Sequence, residues 1–311
     1  MKAVLVTPGA PANLALGEAP APDVDSDQTL VRVKAVSLNR GEVRRAQAMS
    51  EGSAIGWDFA GIVEAPARDG SGPAAGARVV GLSLPMRGWA ELVAVDSRSV
   101  TVVPDAVSLE DASTLPVAGL TALYGLERGD RLLGAQVVVT GASGGVGYFG
   151  CQLAKMMGAQ VFAQVRRDDH VALLSNLGVE EVVVDDSGDR LAERGPYRLV
   201  LDGLGGPLLG RLISMLEPDG RAVLYGVSVS DQTTIGVRDL MVTGTGRVDG
   251  FHLYRESEIA SAASGLARLL GLVEQGRLQT LVQRTEPWEN VGDVAQALLD
   301  RAYPGKAVLT L

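Results

Sequence analysis

Cysteine is almost absent from this 311-residue chain, with Cys151 standing alone. One thiol can form neither an internal disulfide nor a cysteine-rich metal site, and it fits a reducing compartment. Histidine is nearly as scarce, present only as His170 and His252. Aromatic residues make up 4% of the chain, so a core of Val, Leu and Ala is expected. No run reaches the roughly 18 apolar residues of a membrane span. The opening MKAVLVTPGA has too short an apolar run for a secretory signal and reads as a first strand. A cytoplasmic protein is expected. Positive charge is also in deficit, 28 Lys and Arg against 37 Asp and Glu, for a formal charge of −9. Such a chain repels nucleic acid and anionic membrane, so neither is an expected partner.

What remains is a globular composition, 46% hydrophobic and 21% charged, at a length that fits two domains. Residues 1–114 carry short apolar or alternating runs, among them Thr29–Ala35, Gly61–Ala65, Val79–Gly81 and Ala90–Val95. Gly and Pro break them, and Pro66–Ala77 reads as a loop. A mainly β, barrel-like first domain follows. The pattern then changes to alternating helices and strands. A helix is expected over Leu115–Leu126, then strands at Gln136–Thr140, Gln160–Val165, Glu181–Val184, Arg198–Asp202 and Arg221–Tyr225. Helices are expected over Val146–Met157, His170–Leu177 and Pro207–Met215. Runs such as Val137–Val139 and Leu199–Leu201 are apolar on both faces, as in a parallel sheet. The fold class is therefore α/β, a doubly wound parallel sheet over 115–250 beside the β domain of 1–114. The tail, 251–311, breaks the alternation with a long helix over Glu256–Glu274, Leu281–Val282, a helix near Val291–Arg301 and a strand Ala307–Leu311. It is expected to join the first domain.

The sharpest motif is the strand-to-helix turn Val139-Thr140-Gly141-Ala142-Ser143-Gly144-Gly145-Val146-Gly147. Small residues allow a tight turn and close approach to a diphosphate, and the following helix offers unpaired N–H groups. Ser143, Gly144, Gly145 and Val146 are the expected contacts, with Gly144, Gly145 and Val146 as donors. The next strand selects the nucleotide. An acid there would hold a ribose 2′-hydroxyl, as in NAD sites. This chain has Arg166-Arg167, suited to grip the 2′-phosphate of NADPH. Asp168 and Asp169 follow directly and offer the alternative of a neutralised, solvated cluster. Gly203, after the fourth strand, and Tyr225-Gly226, after the fifth, are placed to edge the adenosine side.

Several segments together resemble the medium-chain dehydrogenase/reductase family, in its zinc-free, quinone oxidoreductase-like branch. Leu38-Asn39-Arg40-Gly41-Glu42 resembles LNxxD, and Gly56-Trp57-Asp58-Phe59-Ala60-Gly61 resembles GxDxAG. Gly76–Gly81 resembles GDRVxG, with Ala77 in place of the acid. Leu115–Ala122 resembles LPxxGLTA, and Gly305-Lys306-Ala307-Val308-Leu309 resembles GKxVL. The resemblance implies a GroES-like first domain and a Rossmann second domain. The apolar Met241–Val242 near the sheet edge could pair two subunits, so a homodimer is expected. Asn39 stands at the family's zinc cysteine position and Trp57 at its histidine, so the resemblance implies no metal.

Without a Lewis acid, the implied reaction is NADPH-dependent hydride transfer to a small quinone or α,β-unsaturated carbonyl. Asn39 is implied at the cofactor–substrate junction, either holding the ribose or donating to the substrate. Thr121 and the backbone of Phe251 and Leu253 are implied near the nicotinamide, although Phe251 also fits simple core packing. Trp57, Met86 and Phe251 are candidate pocket walls. The branch often carries a tyrosine where this chain has Val43-Arg44-Arg45, which leaves Arg44 as an oxyanion donor or a solvated side chain. The short-chain reductases share the TGxxxGxG spelling, but no tyrosine here has the lysine four positions on that they require. Two other readings stay open: an enoyl-thioester reductase of polyketide or fatty-acid type, and a non-catalytic NADPH sensor.

Overall fold

The computed structural model describes residues 1–244 and 246–311. The chain forms two compact units, Met1–Leu120 together with Tyr254–Leu311, and Thr121–Leu253. In the first, β1 (Lys2–Val6) and β2 (Leu14–Glu18) pair antiparallel. The main sheet is centred on β3 (Gln28–Ser37), which lies antiparallel to both β4 (Asp58–Ala65) and β6 (Leu92–Asp96). β5 (Arg78–Leu82) and β7 (Val100–Val102) continue it beyond β4. Along β3, Thr29, Val31, Val33 and Ala35 are buried while Arg32 and Lys34 are exposed, the alternation of a sheet with one wet face.

Two helices lie in the stretch read as mainly β: α1 (Arg40–Ala46) and α2 (Leu109–Ser113). Both are too short to show a helical period and are set by caps. Ser108 Oγ accepts from the Asp111 N–H of α2 at 3.0 Å. The helix expected over Leu115–Leu126 divides into a π-helical turn, Leu115–Gly119, and α3 (Leu120–Glu127).

The second unit alternates strictly: β8 (Gln136–Val139), α4 (Gly145–Met156), β9 (Gln160–Val165), α5 (Val171–Ser175), β10 (Glu181–Val184), α6 (Asp189–Ala192), β11 (Tyr197–Asp202), α7 (Gly206–Ile213), β12 (Leu216–Leu224), α8 (Val237–Thr243) and β13 (Arg247–Gly250). The sheet order is β10-β9-β8-β11-β12-β13, all parallel. The order in which successive strands are added reverses between β8 and β11, so a ligand-binding crevice is expected beyond their carboxyl ends. Val137, Val138 and Val139 are each 0% exposed, as the apolar runs require. The sixth strand, β13, went unread because Arg247-Val248-Asp249-Gly250 is half polar, which its position at the sheet edge permits.

The tail contributes α9 (Leu253–Ile259), α10 (Ala262–Glu274), β14 (Val282–Pro287), α11 (Val291–Leu299) and β15 (Lys306–Thr310). The single helix expected over Glu256–Glu274 is two, because Ser261 Oγ accepts from the Ser264 N–H at 3.3 Å and restarts the chain as α10. β15 lies antiparallel to β3 and parallel to β14, extending the first unit's sheet. Among the described residues no helix is long and apolar enough to cross a membrane.

Candidate functional site

The glycine turn joins β8 to α4 at the reversal point. Gly141 has φ +59°, and a Cβ on Gly147 would come within 2.4 Å of Gly141 O and 2.7 Å of Ala142 Cα. Backbone thus presses on backbone, and only hydrogen fits at 147. Gly144, expected as a donor, turns its N–H back onto Gly141 O at 2.9 Å. The N–H groups of Gly145, Val146 and Gly147 belong to the first turn of α4, where a helix has no acceptor of its own. Ser143 is half-buried beside them. A diphosphate fits this cradle: the backbone can approach it, and the helix terminus is left to receive it.

Three buried polar residues hold the turn. Gln164, fully buried on β9, accepts from the Gly141 N–H through Oε1 at 2.8 Å, and its own carbonyl accepts from the Ala142 N–H at 2.9 Å. Its Nε2 donates to Asp185 O beyond β10. Thr140 Oγ1 donates to Asp202 Oδ1 at 2.7 Å, joining the ends of β8 and β11. Asp202 Oδ2 accepts from the Leu204 and Gly205 N–H groups, and burial pushes its carboxyl up from the ordinary range. Gln164 and Asp202 were not anticipated. Their signal is a polar residue inside an otherwise apolar strand.

At the end of β9, Arg166 and Arg167 are both exposed. The Arg167 guanidinium is taken up by Asp169 in a two-pronged pair, whereas Arg166 has no partner among the described residues. Gly203 and Gly226 follow β11 and β12. A Cβ on Gly203 would strike the Tyr225 ring at 2.5 Å, so ring and glycine backbone are in direct contact. Phe251 is 7% exposed, with the Arg128 guanidinium 5.4 Å from its ring centroid. Its N–H is spent on Leu224 O at 2.8 Å. Thr121 and Leu253 are buried at 5% and 8% exposure. Cys151 is a core residue of α4, its thiol pushed up to about 12 by burial.

The first unit holds a buried ionic cluster where α1, β4 and β15 meet. Glu42, Asp58 and Lys306 are 0%, 0% and 3% exposed. Glu42 Oε1 accepts from the Asn39 N–H at 2.6 Å and from Asn39 Nδ2 at 3.0 Å, and Oε2 accepts from the Trp57 N–H at 2.8 Å. Asp58 Oδ2 accepts from Asn39 Nδ2 at 2.7 Å and Ser37 Oγ at 2.8 Å, and Oδ1 from the Val117 N–H at 2.9 Å. Lys306 Nζ donates to Leu38 O, Asn39 Oδ1 and Asp58 Oδ2. Burial first, and Asp58 second, push the Glu42 carboxyl up to about 8. Burial pulls the Lys306 ammonium down.

The cluster limits what Asn39 can do. Both amide hydrogens are committed to carboxylates, and Lys306 fixes which end is oxygen. Asn39 therefore has no donor left for a substrate; its Oδ1 can still accept, for example from a ribose hydroxyl. Glu42, Asp58 and Lys306 lay in separate motifs and carried no assigned role in the sequence reading.

Trp57 is 8% exposed, and its ring meets Tyr254 at 5.3 Å between centroids and 59° between planes. Tyr254 was not singled out from sequence; burial holds its phenol above the ordinary range. Arg44 is exposed on α1, and Met86 is 6% exposed. His252 is exposed and His170 half-buried. Among the described residues no three His, Cys, Asp or Glu side chains are grouped to hold a metal.

Two family models match the chain, an alcohol dehydrogenase GroES-like domain over residues 25–105 and a zinc-binding dehydrogenase over residues 145–268. The spectinabilin polyketide synthase system protein NorB of Streptomyces orinoci is 33% identical over 91% of this chain. The chain spans only 13% of that protein's length. The synaptic vesicle membrane protein VAT-1 homolog of Homo sapiens is 29% identical, covering 91% of this chain and 78% of that protein. The quinone oxidoreductase of Coxiella burnetii superposes with a TM-score of 0.85 at 25% identity, over 100% of this chain and 99% of that one. The Escherichia coli quinone oxidoreductase, solved with NADPH, superposes with a TM-score of 0.88 at 24% identity over 100% of both chains.

Proposed function

The chain belongs to the medium-chain dehydrogenase/reductase superfamily, and from that premise we propose that it is an NADPH-dependent, zinc-independent reductase of quinones or α,β-unsaturated carbonyls. One observation carries the reading. Gly147 lies against Gly141 so closely that no side chain fits, at a strand-to-helix turn on the reversal point of the sheet. Gly145, Val146 and Gly147 would receive the diphosphate. Arg166 would take the 2′-phosphate, with Arg167 in reserve because Asp169 already holds it. Tyr225 and Gly203 would edge the adenosine, and Thr121, Phe251 and Leu253 the nicotinamide side. When bound, reduced nicotinamide supplies a hydride.

The donor set speaks against zinc. Asn39 and Trp57 replace two ligand types that zinc takes readily, and the nearby acids are spent on N–H groups and Lys306. An acceptor already activated by conjugation needs no metal to receive hydride.

A second reading is favoured by the similarity to NorB: reduction of an enoyl thioester, the same addition to a conjugated carbonyl. The two separate in one assay. NADPH and NADH oxidation is followed against quinones, enones, enals and enoyl thioesters. Turnover of quinones or simple enones with NADPH supports the first reading, and turnover confined to thioesters supports the second. Arg166→Ala is expected to weaken NADPH about 10-fold, roughly the loss of one charge-assisted contact, and to leave NADH affinity alone. Arg167→Ala is expected to do less. Unchanged NADPH affinity in Arg166→Ala would overturn the nucleotide assignment.

A further inference from the structure

The N–H groups of Gly145, Val146 and Gly147 can converge on a diphosphate only if the turn before them holds α4 in place. Glycine-rich backbone has little rigidity of its own: glycine visits positive φ as readily as negative, so nothing intrinsic keeps Gly141 at +59°. The rigidity has to come from a neighbour. β8 pairs with β9 as far as Val139, opposite Ala163. Gln164 is the next position on β9 and stands beside the turn itself.

Gln164 is 0% exposed, and its chain neighbours Ala163 and Val165 are buried with it. A buried amide is costly unless it is bonded, and neither the strand ladder nor the apolar core requires one here. Its bonds go to the turn. Oε1 accepts from the Gly141 N–H at 2.8 Å, and the main-chain carbonyl accepts from the Ala142 N–H at 2.9 Å. The Gly141 carbonyl accepts from the Gly144 N–H at 2.9 Å, so Gly141 is gripped at both ends. Nε2 donates to Asp185 O, which fixes which end of the amide is oxygen. Asp185 is a firm anchor, because its carboxylate accepts from the N–H groups of Ser187, Gly188 and Leu191 at 3.0, 2.8 and 3.0 Å.

We propose that Gln164 is a positioning residue for the dinucleotide: it holds the glycine turn in its binding conformation before the ligand arrives. The inference rests on the nucleotide-binding reading above, and every group in it lies in the second unit. Gln164 is sealed from the ligand and acts through Gly141 and Ala142. Binding the diphosphate then requires no reordering of the turn, which is how preorganisation raises affinity.

The test uses the full chain and Gln164→Met, which keeps the length of the side chain and removes its amide. If the turn then holds its binding form about a tenth of the time, apparent affinity falls about 10-fold. NADPH and NADH are expected to lose affinity by the same factor in titration calorimetry, because they share the diphosphate. Adenosine 2′-monophosphate has no diphosphate and is expected to bind the variant as it binds the parent, since the loop after β10 keeps the bonds of Asp185. Arg166→Ala is expected to show the opposite pattern, weakening NADPH and adenosine 2′-monophosphate and sparing NADH. Amide hydrogen exchange, followed by NMR, is expected to find Gly141 and Ala142 protected in the free parent. Gly145, Val146 and Gly147 are expected to gain protection only when NADPH is added. A Gln164→Met chain that binds NADPH like the parent overturns the proposal. So does a loss that extends equally to adenosine 2′-monophosphate, the mark of a general structural effect. Unprotected Gly141 and Ala142 amides in the free parent overturn it even where the variant fails to fold. A parent that binds neither dinucleotide, or whose Gly145, Val146 and Gly147 amides gain no protection from NADPH, instead refutes the reading of this turn as the diphosphate site.

Discussion

Gly147 has no room for a methyl group. A Cβ there would meet Gly141 O at 2.4 Å and Ala142 Cα at 2.7 Å, both main-chain atoms that no rotamer change can move. Gly147→Ala is therefore expected to push α4 away from the turn, destabilising the protein by about 1–3 kcal/mol as other overpacked sites do. NADPH affinity is expected to fall at least about 10-fold, because the α4 N–H groups would no longer converge. Thermal unfolding and a fluorescence titration with NADPH check the two effects. At Gly144 a Cβ would come only to 3.3 Å of Gly141 O, so Gly144→Ala is expected to be the milder change. An alanine at 147 that binds NADPH like the parent would mean that the turn does not hold the diphosphate.

The elements that position the site differ in how openly the sequence declares them. β8 and β11 were legible because burial on both faces leaves runs of Val and Leu, and β9 because Val161-Phe162-Ala163 is apolar throughout. The turn after β8 was legible because its backbone geometry demands glycine. α1 and β13 were not: α1 is seven residues long and held by the Asn39–Glu42 cap rather than by an apolar stripe, and β13 is a half-polar edge. The ionic cluster was hidden for a different reason. Its members come from three motifs far apart in sequence, and only the pairing of β15 with β3 brings Lys306 to Asn39 and Asp58.

That same cluster yields two predictions. Lys306→Met leaves Asp58 buried without its cation, and breaking a buried pair from one side costs about 3–5 kcal/mol. Chemical denaturation should show the loss, and a Lys306→Met variant as stable as the parent would mean that Lys306 does not compensate Asp58. The second concerns pH. Glu42, pushed up to about 8 by burial and Asp58, binds its proton more tightly in the folded chain than in the unfolded one. Its contribution to stability is thus complete below the ordinary glutamate range and is lost as pH rises through about 8. Lys306, held down by burial, acts in the opposite sense toward alkaline pH. Stability of the parent relative to Glu42→Gln, which cannot titrate, is expected to decline between the ordinary glutamate value of 4.5 and about 8 and to level off above that; a flat difference would place the Glu42 carboxyl elsewhere.

At the scale of the whole molecule, β13 has a strand neighbour on one side only among the described residues. β13 ends the parallel sheet, and α8 before it exposes Val237, Met241 and Val242 at 74%, 77% and 80%. Val248 on β13 is 41% exposed. An open strand edge beside bare apolar side chains invites pairing, and proteins usually blunt or cover such edges. A second copy related by a two-fold axis would cover both at once, since the same patch then meets itself. We therefore expect a homodimer joined through α8 and β13. Light scattering after size exclusion should give twice the chain mass of 32.4 kDa at micromolar concentration. Met241→Glu with Val242→Glu places four carboxylates in the paired interface, two from each copy, and is expected to yield monomers. Because these side chains project from the surface of α8, the doubled substitution should leave the unfolding midpoint of the monomer and the fold of the nucleotide unit intact. A parent that runs as a monomer, or a doubly substituted chain that still dimerises, would show that this face is covered by something else.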